Sequence, residues 1–396
     1  MFMKYLAILG RQPEISLAEL EALFSNVLGI NKNLATFDST TPPDINRLGG
    51  CLKLAIPLNK KPLEYMANLP AGKITLGLSD YSKNTTKKTA SMEALKLKKI
   101  LVRHGRSIRV VENKEAILST ATSLHNGLGG KNDRKIELIK INNDWYKVIG
   151  VQDIEKYAKR DQNRPARDAK VGMLPPKLAQ ILINLCGPLK PGSTVLDPFC
   201  GTGVVLQEAL LMGYRAYGTD LNERMIEYSS KNLEWLSEKN FFLGHFGGHD
   251  RELGRSPRDD GRERPVSQEK CFFSLSQGDA TNFQWDQPID AVACEGYLGK
   301  PMSKIPTEIE LKEQKQECGA IVTGFLKNLV SQIESGTPVV IAIPAWLRED
   351  GRHERLDILD LITDMGYNVN NKSREGLIYC REKQIVARDI LILRKK

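Results

Sequence analysis

The fold is decided by one stretch of the chain, Val195-Leu196-Asp197-Pro198-Phe199-Cys200-Gly201-Thr202-Gly203. A short apolar strand at 194–196 runs into this glycine-containing turn, and a helix is predicted from about Val204 to Met212. Glycines allow such a turn to bring its backbone close to a ligand. The order strand, turn, helix therefore predicts a ligand loop at the carboxyl end of a parallel strand.

A second acidic residue strengthens this interpretation. Asp220 closes the next apolar stretch, 215–219, where an acidic side chain can hold both hydroxyls of a ribose. A dinucleotide loop is disfavoured because Leu206 occupies the third glycine position, and a phosphate loop because no Gly-Lys-Ser/Thr follows the glycines. The loop resembles the cofactor loop of S-adenosylmethionine-dependent methyltransferases. The alternative is a turn of an α/β fold that binds nothing.

The composition is that of a globular protein with room for two or three domains. Of 396 residues, 41% are hydrophobic and 27% are charged. No apolar run approaches the ~20 residues that cross a bilayer, and the first ten residues lack a signal-peptide pattern, so we expect a cytoplasmic protein. The seven cysteines include no C-x-x-C pair, which predicts neither a disulfide framework nor a zinc site.

The positive charge is concentrated in the first part of the chain. Residues 1–170 carry 29 Lys and Arg against 17 Asp and Glu, a net charge of +12, whereas residues 171–396 carry a net charge of −3. Such an imbalance indicates a polyanionic partner for the amino-terminal part. The alternative is a solvated, lysine-rich surface without a partner.

The pattern of predicted elements divides the chain into four parts. Residues 1–66 and 67–152 each form a small α+β unit, 153–177 form a polar junction, and 178–396 form the last domain. In the second unit we expect a helix from Thr89 to His104 and another from Lys114 to Leu118. The inward-facing side chains of the first of these helices are predicted to be Leu95, Leu97, Ile100 and Leu101.

Strands and helices alternate from Gly192 onward, which predicts a parallel sheet with crossover helices. Residues 244–270 interrupt this rhythm with six basic and six acidic side chains and are predicted to be a mobile insert. His245, His249 and Asp250 in this insert resemble metal ligands, but a solvated loop is the favoured interpretation, and we predict no metal site.

Motifs in three regions carry a resemblance to a known family. They are Leu9-Gly10-Arg11-Gln12-Pro13-Glu14 with Leu17-Ala18-Glu19-Leu20, Arg47-Leu48-Gly49-Gly50 and Ser123-Leu124-His125-Asn126 in the amino-terminal part, Arg160-Asp161, Arg164-Pro165-Ala166-Arg167-Asp168 and Gly172-Met173-Leu174-Pro175-Pro176-Lys177-Leu178-Ala179 around the junction, and the loop from Asp197 to Gly203. The chain resembles the THUMP-domain tRNA guanine-N2 methyltransferases of archaeal and eukaryotic type, which act on the guanosine at position 10 of tRNA.

The resemblance implies an α/β architecture. A Rossmann-like class I methyltransferase domain, with a mostly parallel seven-stranded sheet and an antiparallel last strand, follows an α+β ferredoxin-like domain and a THUMP-like RNA-binding domain. It implies S-adenosylmethionine as the cofactor and tRNA as the partner, bound by the basic amino-terminal part. No membrane and no evident protein partner are expected.

The resemblance also implies the cofactor-binding residues. They are Met173 and Leu174 in the upstream motif, Asp197 and Pro198 near the methionine end, Gly201 and Gly203 beneath the cofactor, Asp220 and Leu221 at the ribose, and Asp279 and Ala280 at the adenine. Two alternatives stay open: the upstream motif is only a linker, or Asp279 only caps a turn.

The predicted catalytic loop departs from the family pattern. After the fourth strand the family carries Asp-Pro-Pro-Tyr, whereas this chain carries Cys294-Glu295-Gly296-Tyr297. An aromatic amine needs acceptors for its N–H bonds, and Cys294 is a poor acceptor. A shift by one residue turns Glu295 to the opposite face of an extended strand, although the flexible Gly296 next to it could let the carboxylate reach. Our hypothesis is that Glu295 and a backbone carbonyl of this loop accept from the target amine while Tyr297 stacks on the base.

The sequence therefore predicts a tRNA methyltransferase that forms N2-methylguanosine or N2,N2-dimethylguanosine. One alternative is a methyltransferase that acts on adenine N6 or cytosine N4, since the same loop chemistry serves these amines. The other is a tRNA-binding protein that retains the cofactor site without turnover.

Overall fold

The computed structural model describes residues 2–168, 173–238, 273–382 and 384–396. Two compact units make up the chain, Met1–Lys159 and Arg160–Lys396. The insert predicted at 244–270, with His245, His249 and Asp250, lies outside the described residues, as does Gly172 of the upstream motif.

The described residues of the first unit form one eight-stranded sheet with helices. The strands are β1 (Met3–Leu9), β2 (Ser25–Asn31), β3 (Leu34–Ser39), β4 (Cys51–Pro57), β5 (Ile74–Asp80), β6 (Ile108–Val110), β7 (Lys135–Ile141) and β8 (Asp144–Val151). The helices that begin in this unit are α1 (Pro13–Leu23), α2 (Pro62–Ala67), α3 (Lys87–Arg103), α4 (Thr120–His125) and α5 (Ile154–Gln162). The strand order is β2-β3-β1-β4-β8-β7-β5-β6; β5 pairs in parallel with β6 and with β7, and the other neighbouring pairs are antiparallel.

This sheet is continuous across the two predicted amino-terminal domains, because β4 pairs with β8. A buried cluster reinforces the junction: Lys53 Nζ donates to Glu137 Oε1 at 2.6 Å, to Ser123 Oγ at 2.8 Å and to the Leu118 carbonyl at 2.9 Å. A buried ion pair persists only when such additional hydrogen bonds satisfy it. The ferredoxin-like and THUMP-like identities of the two parts, and the boundary between them, stay predictions.

The helix predicted at 89–104 is α3, and its buried side follows the helical period. Its buried residues are Ala90, Ala94, Leu97 and Leu101. The prediction for Leu95 was wrong, since this side chain is 55% exposed, and Ile100 is half-buried. The helix predicted at 114–118 was also wrong: these residues form bends, and α4 begins only after Ser119, whose side chain caps it.

The described residues of the second unit form the larger sheet. Its strands are β9 (Thr194–Asp197), β10 (Arg215–Asp220), β11 (Phe273–Gln277), β12 (Ala291–Glu295), β13 (Pro338–Leu347), β14 (His353–Glu354), β15 (Tyr367–Val369), β16 (Ile378–Tyr379) and β17 (Val386–Lys395). The helices that begin in the second unit are α6 (Pro176–Leu185), α7 (Val204–Leu211), α8 (Glu223–Glu238), α9 (Glu308–Leu329), α10 (Leu359–Asp364) and α11 (Asn371–Glu375).

The strand order confirms the predicted Rossmann-like fold. Among the described residues the main path is β11-β10-β9-β12-β13-β17-β15, seven strands, with β14 and β16 paired at its side. The strands from β11 to β13 are parallel, and the last strand, β17, is antiparallel to β13 and β15. The chain leaves β9 in one direction and returns to its other side at β12, which creates the crevice where α/β folds bind ligands.

Candidate active site

Three carboxylates gather at one edge of the larger sheet. Asp197, Asp220 and Glu295 are the last residues of β9, β10 and β12, which are parallel neighbours. The register of these strands places all three on the same face, because side chains alternate between faces with a period of two. The sheet thus collects negative charge where the crevice opens.

Asp197 is a buried carboxylate without a compensating cation. The residue is 2% exposed, and its Oδ1 accepts from the Phe199 N–H at 3.1 Å. Burial raises the pKa of Asp197 well above its usual range, and the carboxylates of Asp220 and Glu295 raise it further. Within the described parts of the chain, no lysine or arginine forms an ion pair with Asp197. A positively charged ligand would satisfy this group.

Asp220 fixes the glycine-containing turn. Its Oδ2 accepts from the Gly201 N–H and its Oδ1 from the Asn222 N–H, both at 2.9 Å. Burial nevertheless raises the pKa of Asp220, because it outweighs these two hydrogen bonds. Each carboxylate oxygen keeps a further acceptor site for a ligand hydroxyl. Leu221, predicted to lie at the ribose, is 68% exposed.

The two glycines of the loop have different surroundings. Both have a positive φ, +51° at Gly201 and +78° at Gly203. A Cβ at Gly201 would meet only the Phe199 carbonyl oxygen, at 4.0 Å, so the backbone there borders open space. A Cβ at Gly203 would stand 2.8 Å from Ser229 Oγ, so Gly203 lets α7 pack against α8. The space for a ligand is therefore at Gly201.

Pro198 belongs to the buried part of this loop. Its carbonyl accepts from the Thr219 hydroxyl at 3.4 Å, which joins the loop to β10. This contact and the Cys200 N–H that donates to the Thr219 carbonyl at 2.9 Å hold the turn against the neighbouring strand.

Asp279 caps a turn just after β11. Its Oδ1 accepts from the N–H of Thr281 at 2.9 Å and from the Thr281 hydroxyl at 2.7 Å. Within the described residues Oδ2 has no hydrogen-bond partner, so capping leaves one oxygen for a ligand. The adjacent Ala280 is buried, and its carbonyl accepts from Asn328 Nδ2 at 3.0 Å. Asp279 therefore does cap a turn, as one of the two sequence interpretations proposed, and this role is compatible with ligand binding through Oδ2.

The upstream motif surrounds a buried arginine that sequence reasoning did not single out as a site residue. Arg164 Nη2 donates to Met173 Sδ at 3.4 Å and lies 3.6 Å from Asp161 Oδ1. Arg164 Nε and Nη1 are buried without a partner in the described part of the chain, and burial lowers the pKa of Arg164. Leu174 is buried beside this segment. An arginine next to a proline in a polar junction was the available sequence signal.

Cys294 lies in the core of the unit. It is completely buried, in the same apolar cluster as Ile341 of β13 and Phe325 of α9. Burial raises the pKa of the Cys294 thiol well above its usual range. Its side chain is thus on the face opposite Asp197 and Glu295, as expected for a neighbouring residue of an extended strand.

Glu295 forms an ion pair that the sequence did not reveal. Arg388 Nε of β17 donates to Glu295 Oε1. Arg388 is only 5% exposed, so its guanidinium is shielded from water, whereas the Glu295 side chain keeps 16% exposure. The two side chains reach each other across β13, where Glu295 is in register with Ala342 and Arg388 with Pro344. A charged residue in the apolar strand β17 was the only signal for this contact.

Tyr297 is held by α9. Its hydroxyl donates to Glu317 Oε1 at 3.2 Å, and its ring packs against the core. Burial, and then the Glu317 carboxylate, raise the pKa of Tyr297. The Gly296 N–H donates to the Ala342 carbonyl at 2.9 Å, so the β12–β13 ladder extends into the loop. The ring of Tyr297 is therefore fixed at the edge of the crevice.

The described residues were also compared with what a membrane-spanning helix and a metal site require. In these parts of the chain, no helix combines the length and apolar character required to pass through a membrane. In the same ranges, no group of three or more His, Cys, Asp or Glu side chains is arranged to hold a metal ion.

Comparisons with known proteins confirm the resemblance to tRNA guanine-N2 methyltransferases, and the THUMP-like part of it stays a prediction. Residues 164–314 match the family described as RMKL-like, methyltransferase domain, and residues 81–231 match the family described as DNA methylase. The chain is 30% identical over 176 residues to a tRNA (guanine(10)-N2)-dimethyltransferase of Methanothermobacter thermautotrophicus, covering 44% of this chain and 40% of that protein. It is 32% identical over 160 residues to the protein of the same name from Methanocaldococcus jannaschii, covering 39% and 44%.

These relatives are matched over part of their length. The chain spans less than half of each of these two curated proteins. It is also similar to the crystal structure of TrmN from Thermus thermophilus, with a TM-score of 0.47 and 13% identity over 100% of both chains.

Proposed function

We propose that this chain transfers a methyl group from S-adenosylmethionine to the exocyclic N2 amine of a guanosine in tRNA. The observation that carries the proposal is the alignment with relatives named tRNA (guanine(10)-N2)-dimethyltransferase. The names of these relatives make position 10 the first candidate and allow one methyl group or two. The carboxylates at the ends of β9, β10 and β12 give the site the chemistry that this reaction needs.

The site fits the cofactor in three respects. The bare backbone at Gly201 allows close approach, the buried Asp197 lacks a cation, and Asp279 Oδ2 is available as an acceptor. We assign Asp197 to the ammonium of the methionine end, Asp220 with Leu221 to the ribose, and Asp279 to the adenine amine. When bound, S-adenosylmethionine supplies an electrophilic methyl group on a sulfonium centre.

Several predicted contacts with the cofactor rest on the resemblance. Met173 and Leu174 would line its methionine end, and the Ala280 N–H would face its adenine. Gly203 would support the loop through its packing on Ser229, without touching the ligand. Arg164, next to Met173, would favour an anionic group in that part of the site.

The target base needs two further residues. Glu295 accepts an N–H bond of the guanine amine, which localises the nitrogen lone pair that otherwise delocalises into the ring. Tyr297 stacks on the ring, and the base leaves its helical stack to reach the crevice. Positioning and exclusion of water provide most of the rate enhancement. Cys294, buried in the core, has no contact with the reactants in this proposal, and Gly296 only shapes the loop.

The amino-terminal part binds the tRNA in this proposal. The net charge of +12 over residues 1–170 provides attraction for a phosphate backbone. A THUMP-like role of this part would explain why basic residues are concentrated there. A tRNA substrate also fits the cytoplasmic location expected from the sequence.

Transfer of tritium from labelled S-adenosylmethionine to tRNA tests the proposal. We expect labelling of a tRNA transcript, and no labelling when guanosine 10 is replaced by adenosine. Mass spectrometry of digested tRNA should show N2-methylguanosine or its dimethyl form. Binding of the cofactor without transfer to any tRNA would refute the proposal and favour the inactive, tRNA-binding alternative.

The role of Glu295 is tested in the same assay. Glu295→Ala removes the acceptor, and we expect kcat to fall by about 100-fold or more, the cost of losing one preorganised group. Glu295→Gln keeps the size and one oxygen acceptor and should retain part of the activity. Full activity of the Ala variant would remove Glu295 from the mechanism.

A methyltransferase acting on DNA is the second candidate function. Two observations favour it: residues 81–231 match the DNA methylase family, and the Type II methyltransferase M.MwoI of Methanothermobacter wolfeii is 34% identical over 97 residues, covering 23% of this chain and 14% of that protein. Adenine N6 and cytosine N4 are the amines concerned. Labelling of duplex DNA in place of tRNA would decide for this candidate.

A further inference from the structure

We infer that Arg388 is a positioning residue for methyl transfer, which holds Glu295 so that one carboxylate oxygen faces the target amine. The inference rests on the proposed function, because it concerns how the acceptor of that reaction is oriented. It adds a residue from the last strand of the sheet, 93 positions after Glu295 in the chain.

The first support is the geometry of the pair. Arg388 Nε donates to Glu295 Oε1, and within the described residues Oε2 accepts no hydrogen bond. A guanidinium that occupies one oxygen leaves the other for an N–H of a substrate. The pair therefore has the form of an anchored acceptor with one free side.

The second support is the rigidity of the frame. Arg388 lies in the long antiparallel pairing of β17 with β13, and Glu295 lies at the end of the parallel pairing of β12 with β13. The residues between them on β13 are Ala342 and Pro344, whose small side chains let the two charged groups meet above the sheet. Because Arg388 is 5% exposed, its guanidinium has little freedom to move.

The third support is the position of the carboxylate. Glu295 follows the buried Cys294 and lies on the face of Asp197, and its side chain has one more methylene than an aspartate. A longer side chain has more rotamers and would spend less time in the reactive one. A charge-assisted hydrogen bond from a buried arginine selects one arrangement of this side chain.

A neighbouring ion pair on the same strand provides a matched control. The next residue of β17, Asp389, points to the other face and accepts from Arg355 Nε at 2.6 Å. Arg355→Ala therefore removes a guanidinium–carboxylate pair from the same strand without touching Glu295. It serves as the matched control for general loss of stability.

The test compares the full-length wild type with Arg388→Ala, Arg388→Lys, Arg355→Ala and the double variant Glu295→Ala/Arg388→Ala. Methyl transfer to tRNA is measured with and without added methylguanidinium, which can enter the space left by the arginine. We expect Arg388→Ala to lower kcat by about 100-fold with little change in the KM for tRNA, as for a misplaced catalytic group. Methylguanidinium should restore part of that loss, and Arg388→Lys should keep part of the activity.

Two further results are expected if Arg388 acts through Glu295. The double variant should be no slower than Glu295→Ala alone, and methylguanidinium should not rescue it. Arg355→Ala should melt at a lower temperature while its kcat stays within a few-fold of the wild type.

The outcomes separate this inference from the proposed function. A wild type that methylates neither tRNA nor DNA refutes the proposed function, and the role of Arg388 falls with it. A wild type that methylates tRNA, together with an Arg388→Ala variant of normal kcat, overturns the positioning role alone. Two other results would also overturn the positioning role, because they would mean a merely structural role for Arg388. One is a loss of kcat that methylguanidinium does not restore, and the other is a double variant much slower than Glu295→Ala.

Discussion

Replacement of single glycines by alanine should separate the ligand surface of the loop from its packing surface. Gly201 and Gly203 both have left-handed backbone, but only Gly201 borders open space. Gly192, with a φ of +79° and no atom within 4 Å of the position that an added methyl group would take, precedes the amino-terminal end of β9 and provides the control. The three variants carry the same chemical change in different surroundings.

The expected magnitudes follow from these surroundings. An alanine with left-handed backbone costs about 1 kcal/mol of stability, which applies to all three variants. Gly203→Ala also brings a methyl group to 2.8 Å from Ser229 Oγ and 3.3 Å from Ser229 Cα, and such overpacking adds about 1–3 kcal/mol. Gly201→Ala adds no clash in the free protein but fills the space that we assign to the cofactor. We expect its affinity for S-adenosylhomocysteine to fall at least about tenfold, or 1.4 kcal/mol.

Urea unfolding measures the stabilities, and calorimetry with S-adenosylhomocysteine measures the affinities. Gly192→Ala should lose stability to the same extent as Gly201→Ala and bind the ligand as the wild type does. Wild-type affinity of Gly201→Ala would refute the assignment of this backbone to the cofactor. Equal stability of Gly201→Ala and Gly203→Ala would refute the packing role of Gly203.

Three further predictions concern buried polar groups. Asp197→Asn should increase the stability of the cofactor-free protein at pH 8 and weaken cofactor binding. The pKa of Asp197 is raised in the folded protein, so the wild type loses stability as pH rises from the pKa of an unfolded aspartate through this raised value. A destabilised variant in urea unfolding would contradict this. Arg160 Nε lies 2.6 Å from the buried carboxylate of Glu208, so Arg160→Met leaves Glu208 as an unpaired buried charge. The variant should lose about 3–5 kcal/mol of the free energy of unfolding, measured with urea. Adding Glu208→Met to the same chain should recover most of this loss. Asp279→Ala should cost about 1 kcal/mol, as for a lost cap, and weaken cofactor binding in calorimetry, whereas Thr281→Val should affect stability alone.

Local patterns were sufficient to predict the larger sheet. The strand–turn–helix order around Asp197 and the alternation that follows it depend on neighbouring residues, and the structure confirms both. Burial within α3 was harder to predict, because two alanines, Ala90 and Ala94, occupy the inner face that leucines were expected to fill. An alanine on a helix carries little directional signal, since it is favourable on either face.

Long-range pairs were beyond the reach of sequence patterns. Glu295 and Arg388 are joined through a third strand, and no spacing rule connects residues so far apart. The face of Glu295 followed correctly from strand alternation, but its partner depended on strand order. Arg164 is a similar case. The sequence placed it in a motif of the family, but it did not show that Nε and Nη1 would be buried without a partner among the described residues, because that depends on tertiary packing.

The pairing of β4 with β8 has a consequence for synthesis of the protein. Strand β4 is complete at residue 57, but its second neighbour, β8, ends only at residue 151. During translation, the side of β4 that later pairs with β8 therefore stays unpaired until about a hundred further residues have been synthesised. Lys53 meets Glu137 only at that stage, so its charge stays in water until the partner arrives. The amino-terminal unit should consequently fold late and in one step, and nascent chains that end before β8 should be sensitive to proteases and prone to association.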